Sequence, residues 1–372
     1  MKETPSSLLL LPILLFGVPN AFAGTLQKTV SLPLAVEYES NPQMTSSGRS
    51  VWRTSVSPTL KLDYVMDIDE LSANLGVNEV RSSDTAVSAN RTDPSVLLSW
   101  QRLMSRGKFS LSGRYDRAST RTTEFQDTGY VLTDSTRTAK SMYADGQYLI
   151  SERTNLVGHV EYDRITFSNN SLNSNSGLNN YKTTSGNVTL NYSWSDRIQP
   201  FFALYATHYE PDGVVLSSST QYMGQAGFKW LFSEAWDTTV FAGAQSSSGG
   251  SSAAGGVGGI DVHHAGDRSD MDFKLSHSVT PSGLGGFVKA DQASGNWSYS
   301  LSERNKTGAD LLWRKNYDLN QVTSSLVGLW FSHDLSQSWS TKLYYWHKTH
   351  DQYNITHSDE IGLSLVYLRS DF

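Results

Sequence analysis

The sequence predicts an all-β protein: a single transmembrane antiparallel up-and-down β-barrel of about 18 strands, or about 16 on a shorter count. Three observations predict it. A short apolar leader opens the chain, segments of alternating polarity fill nearly all the rest, and the last residues read as a closing strand.

At the start, Lys2 precedes an apolar run from Leu8 to Val18, followed by Pro19-Asn20-Ala21-Phe22-Ala23. A basic start, a short apolar run and a small-x-small ending make an export signal, which divides the chain into a signal peptide over 1–23 and a barrel over 24–372. The run is shorter than the roughly 20 residues a spanning helix needs. The chain has no Cys, so it has no lipid-modified cysteine, disulfide or thiolate metal site.

Composition fits a barrel better than a helical membrane protein. Only 38% of residues are hydrophobic and the mean hydropathy is -0.39, yet there are 10 Trp, 18 Tyr and 14 Phe. In a barrel wall only every second residue meets lipid, while aromatic rings gather at the two interfaces. The formal net charge of -6 gives no case for nucleic-acid binding.

From Leu26 onward the chain reads as one series of tilted strands. In Gln221 to Phe232, residues Tyr222, Ala226, Phe228, Trp230 and Phe232 share one face, and Gln221, Gln225 and Lys229 share the other. Trp52, Val56, Leu60, Leu62 and Tyr64 likewise oppose Arg53, Lys61 and Asp63. Phe109, Leu111 and Tyr115 oppose Arg114 and Asp116, and Leu156, Val160 and Tyr162 oppose His159, Glu161 and Asp163. A dry core would not hold so many ionised groups, whereas a wet lumen does. The expected lumen-lining residues are therefore Arg53, Lys61, Asp63, Arg114, Asp116, Glu161, Asp163, Lys229 and Lys342, with Tyr143, Tyr344 and Trp346 as inward aromatic candidates.

Short links and long links alternate. Short ones fall near Asp67-Ile68-Asp69, Ser105-Arg106-Gly107, Ser151-Glu152-Arg153, Ser195-Asp196, Ser233-Glu234-Ala235, Gly266-Asp267-Arg268, Asn305 to Gly308 and Ser336-Gln337-Ser338. Short turns belong to the periplasmic side and long loops to the outside. Tyr64, Trp100, Tyr148, Trp194, Trp230, Trp236 and Trp339 flank the short turns as an aromatic girdle. Gly243 to Gly259 reads as a flexible external loop, and Thr122 to Thr136 as the loop able to fold inward and gate the channel.

The C-terminus, Glu360 to Phe372, carries the signal for barrel assembly at Gly362, Leu365, Tyr367 and Phe372: a glycine, apolar residues at alternate positions and a terminal aromatic. It implies the barrel assembly machinery and outer-membrane lipid as partners, and the outer membrane of a Gram-negative bacterium as location.

The opening Val36-Glu37-Tyr38-Glu39-Ser40-Asn41-Pro42, followed by Ser55-Val56-Ser57-Pro58-Thr59-Leu60-Lys61-Leu62, resembles the start of porin-like barrels found with bacterial exopolysaccharide gene clusters. The resemblance extends through the hairpin layout to Ser302-Glu303-Arg304. It implies translocation of an exopolysaccharide across the outer membrane, with a separate periplasmic export partner to deliver the polymer. It carries over no functional residue.

Two other functions fit the same residues: a general diffusion porin for small solutes, and an outer-membrane enzyme with a rim site. For the enzyme, folding back of the last hairpin, His347 to Glu360, could bring His347 near His357 and supply imidazole and carboxylate together. No nucleophile turn or metal-binding helix motif accompanies these residues, so no catalytic residue, metal or cofactor is assigned. His263 and His264 are adjacent on a strand and point to opposite faces.

Overall fold

The computed structural model describes residues 24–129, 134–168, 177–212, 217–249, 254–317 and 321–371. The expected signal peptide and Phe372 lie outside the described residues. One closed antiparallel sheet contains nearly everything else. Its strands are β1 (Thr25–Glu39), β2 (Val51–Val56), β3 (Thr59–Val65), β4 (Asp69–Ser82), β5 (Arg91–Met104), β6 (Gly107–Ser119), β7 (Thr136–Ser151), β8 (Thr154–Ser168), β9 (Tyr181–Tyr192) and β10 (Ile198–Pro211). They continue as β11 (Ser219–Ser233), β12 (Trp236–Ser248), β13 (Gly255–Ala265), β14 (Ser269–Ser282), β15 (Gly286–Ser300), β16 (Asn305–Asn316), β17 (Thr323–Asp334), β18 (Trp339–Asp351) and β19 (Ile355–Asp371). A helix, α1 (Thr120–Thr128), lies between β6 and β7.

β2 and β3 are two halves of one crossing. Both pair with β1 on one side and β4 on the other, in unbroken register. The ladder lapses only at Ser57-Pro58, where Pro58 has no N–H to donate, and the Ser57 N–H still reaches Pro33 O across the lapse at 2.9 Å. The barrel therefore has 18 crossings, as the turns predict. β1 closes it against β19, from Lys28 opposite Asp371 to Glu39 opposite Glu360. Closure removes the sheet edges and satisfies the ladder hydrogen bonds within the wall.

The ladder register fixes which residues share a face, because side chains alternate along each strand and partners across a pair share a side. The outer face carries the exposed aliphatic and aromatic residues, among them Val160 (59%), Leu204 (54%), Tyr222 (60%) and Leu329 (60%). So wide an apolar belt exceeds what a soluble monomer leaves in water. It belongs against hydrocarbon.

Two boundaries differ from the sequence reading. The turn placed at Asn305 to Gly308 lies at residues 301–304, and β16 already begins at Asn305. Its cause is Ser302, whose Oγ accepts from the N–H groups of Arg304 (3.3 Å) and Asn305 (3.1 Å). Ser195 and Ser336 shape their turns in the same way, a local side-chain-to-backbone bond that fixes a turn without glycine. The Gly243 to Gly259 segment is mostly strand, since β12 runs to Ser248 and β13 starts at Gly255. There the backbone ladder forms although small residues give little alternation to read.

Candidate functional site: a lumen divided by a helix

The segment after β6 folds into the barrel. Ser119 starts α1 by accepting from the Arg121 N–H (3.3 Å), and Gly129 ends it in the left-handed conformation, φ 72°, with its N–H bonded to Phe125 O. Thr120, Glu124, Phe125 and Thr128 are buried. The far end docks on strands that are distant along the chain. Asn316 Nδ2 donates to Thr128 O, and His350 Nδ1 donates to Gly129 O at 3.1 Å. A side chain at position 129 would press on Ser324 Oγ, 2.5 Å from the added carbon. α1 therefore bridges the lumen from the β6–β7 wall to β16, β17 and β18.

On one side of α1 lies a cavity of about 340 Å³ against the closure wall, lined among others by Glu37, Arg53, Arg91, Phe125, Trp346 and Glu360. Its charges form a clamp. Arg53 reaches Glu39 (2.6 Å), Glu37 (3.3 Å) and Glu360 (3.5 Å), while Lys348 reaches Glu360 (2.5 Å) and Glu39 (2.8 Å). Arg121 of α1 adds a contact to Glu39 at 3.4 Å, so the helix is tied into the network. Nearby, Arg91 binds Asp93 at 2.8 Å and Asp134 at 3.3 Å. Burial on this scale is tolerable because each charge has partners and further hydrogen bonds.

On the other side, a cavity of about 440 Å³ is lined by Arg114, Asp127, Arg137, Asp163, Tyr181 and Arg314, among others. Beyond it, the β14–β15 tip leans onto the opposite wall. Tyr209 Oη donates to Ser282 O (3.0 Å), the Asn179 N–H donates to Gly283 O (2.7 Å), and Tyr209 packs on Tyr181 and Phe287. Within α1, burial pushes the Glu124 carboxyl up to about 7; nearby Asp127 adds to the rise, and Arg137, Arg314 and a hydrogen bond with Thr128 oppose it.

All nine charged residues expected in the lumen share the inward register. Only Arg53 joins the clamp, and Arg114, Glu161 and Asp163 line the second cavity. Lys61 and Asp63 pair at 2.8 Å, Arg114 and Asp116 at 3.6 Å, and Lys229 reaches Asp237 at 3.1 Å. Lys342 sits 4.6 Å over the Trp330 ring. Leu365 and Tyr367 face outward beside Leu34 and Leu32 of β1, and Tyr367 packs on Trp339, centroids 5.0 Å apart. Gly362 faces inward under the Tyr344 ring.

The last hairpin does stack His347 on His357, centroids 5.5 Å apart, with His347 Nδ1 2.8 Å from Asp359. These residues sit on the outward register, and no group of three or more His, Asp or Glu among the described residues is placed to hold a metal. His263 pairs inward with Asp272 while His264 stacks outward on Trp236. Glu37, Glu39, Arg91, Arg121, Lys348 and Glu360 are not among the lumen residues expected from the sequence. Alternation puts the strand residues among them on the inner face, and only the fold shows that α1 covers them.

No family model and no curated protein matches the chain. Solved structures do resemble it in fold. OccAB4 of Acinetobacter baumannii aligns with TM-score 0.53 at 8% identity, over 95% of this chain and 100% of that one. OpdO of Pseudomonas aeruginosa aligns with TM-score 0.54 at 8% identity, over 93% and 98%. The outer membrane protein OpdK of the same species aligns with TM-score 0.52 at 9% identity, over 93% and 99%. At such identities the likeness is one of fold.

Proposed function

We propose that the protein is an outer-membrane channel of a Gram-negative bacterium that passes small hydrophilic solutes, with α1 as its constriction. The observation that carries this reading is α1 itself, which crosses the lumen with a cavity of small-ligand size on either side. The closed barrel, its apolar outer belt, the export leader and the fold shared with an outer membrane protein support the location. The barrel assembly machinery would insert it, reading β19. No catalytic role is assigned.

Export of an exopolysaccharide, which the sequence resemblance implies, is the weaker reading. A polymer would have to thread past a helix pinned at both ends. Two measurements decide between the readings. Liposomes holding the purified protein should swell in small amino acids and short polyols, and a strain lacking the gene should keep its surface polymer. Impermeable liposomes would overturn the channel reading, and loss of surface polymer in the deletion strain would restore the export reading.

A further inference from the structure

Three inward aromatic rings on β17 and β18 are laid against neighbouring glycines. A Cβ on Gly308 would lie 2.3 Å from the Trp330 ring, one on Gly328 2.3 Å from Trp346, and one on Gly362 2.2 Å from Tyr344. Glycine leaves the space a side chain would fill, and the ring of the adjacent strand occupies it. The register places Trp330 directly opposite Tyr344, and Trp346 opposite Gly328. Tyr344 is tied down by donating its hydroxyl to Glu37 (2.6 Å) and packs on Trp346, centroids 4.7 Å apart. Trp346 is half-buried on the lumen side, and the Trp330 ring is already covered by Lys342 at 4.6 Å.

Trp346 lines the clamp cavity, where four carboxylates face five basic side chains. Most of these charges are already bound to one another, so the cavity has little net field to draw an ion. Arg53, Glu39 and Glu360 are sealed among themselves, but the members at the cavity edge keep exposed donors and acceptors for a ligand: Glu37 is 23% exposed, Lys348 17% and Arg121 13%. A flat apolar ring beside a dense, nearly neutral set of donors and acceptors matches a molecule with an apolar face and a rim of hydroxyls. We propose that Trp346 and the edge of the clamp form a binding subsite for neutral pyranose sugars. The proposal rests on the channel reading for the sugar's route, and it names the solute class that lingers at the constriction.

The test uses the full barrel in planar bilayers with maltose and maltotriose as probes, and the acyclic polyol sorbitol as control. Both sugars should reduce the ion current of the open channel in a saturable way, whereas sorbitol should not. Trp346→Leu should raise the half-blocking sugar concentration roughly tenfold, the loss expected for one stacking contact. Trp346→Phe should restore most of the block, and heat-modifiable mobility checks that each variant is folded. An open channel that ignores both sugars, or is blocked equally in wild type and Trp346→Leu, overturns the subsite and leaves the channel reading intact. If no current is seen, the channel reading fails, and calorimetric titration of the detergent-solubilised protein with maltotriose decides the subsite separately, by binding or none.

Discussion

Two groups of charged side chains on the same inner wall differ in almost everything but residue type. In the clamp, Arg53 is 8% exposed and Glu39 3%, whereas in the pair Lys61–Asp63 the lysine is 52% exposed. The clamp sits where β1, β2, β18 and β19 meet under α1; the open pair lies lower on β3, away from the helix. Coverage by α1, rather than the wall, decides whether an inward charge is sealed or wet. The same residues can thus hold the constriction together at one level and merely solvate the lumen at another.

The sharpest way to break this comparison is to remove one member of each group. Arg53→Ala leaves Glu37, Glu39 and Glu360 crowded with too little positive charge, and should cost about 3–5 kcal/mol of stability. Denaturant unfolding in detergent would show it. A loss no larger than that of Lys61→Ala would mean the clamp is as wet as the open pair.

The next effect concerns the wall that carries both groups. Arg in place of Leu60, Leu111 or Phe228 on the lipid face should destabilise by roughly 2–4 kcal/mol near the midplane. The same change at inward Thr59, Ser110 or Gln225 should be tolerated. Assembled barrel measured on unheated gels would separate the two sets, and equal behaviour would refute the facing assignment.

A smaller effect should follow pH, through α1. Burial raises the Glu124 carboxyl from its ordinary 4.5 to about 7. The packed helix therefore favours the protonated form, so this contribution is complete below about 4.5 and lost as pH rises through about 7. Current fluctuations should grow across that interval in wild type and stay flat in Glu124→Gln. Growth of the same size in the variant would exclude Glu124 as the cause.

The smallest effect is expected from the open pair. Lys61→Ala should change stability by at most about 1 kcal/mol, as for an ion pair in water, while shifting ion selectivity measured as a reversal potential. An unchanged reversal potential would show that Lys61 lies off the conducting path.

Much of the fold is legible in the sequence because strand alternation is a local signal. Tyr222 to Phe232 declares its two faces within a dozen residues, and Lys61 with Asp63 declares a lumen pair within three. The clamp is not local. Glu39 and Lys348 meet only because β1 closes against β19, and Arg121 reaches Glu39 only because a loop turns inward. The inward fold of the loop after β6 was legible as a possibility from its length, but its helix was not. α1 is nine residues long, too short to be stable alone, and stands by docking through Asn316 and His350. Gly362 shows a further limit: its place near the C-terminus reads as an assembly signal, while its contact with Tyr344 appears only across β18 and β19.

The central claim is that α1 is the constriction of an open channel, and single-channel conductance tests it most directly. Exchanging Thr120–Thr128 for a Gly/Ser stretch of equal length removes the helix while leaving the strands that form the barrel. The account predicts a folded, heat-modifiable barrel whose conductance rises severalfold above wild type. A folded variant with wild-type conductance would contradict it, because ions would then be passing somewhere α1 does not narrow.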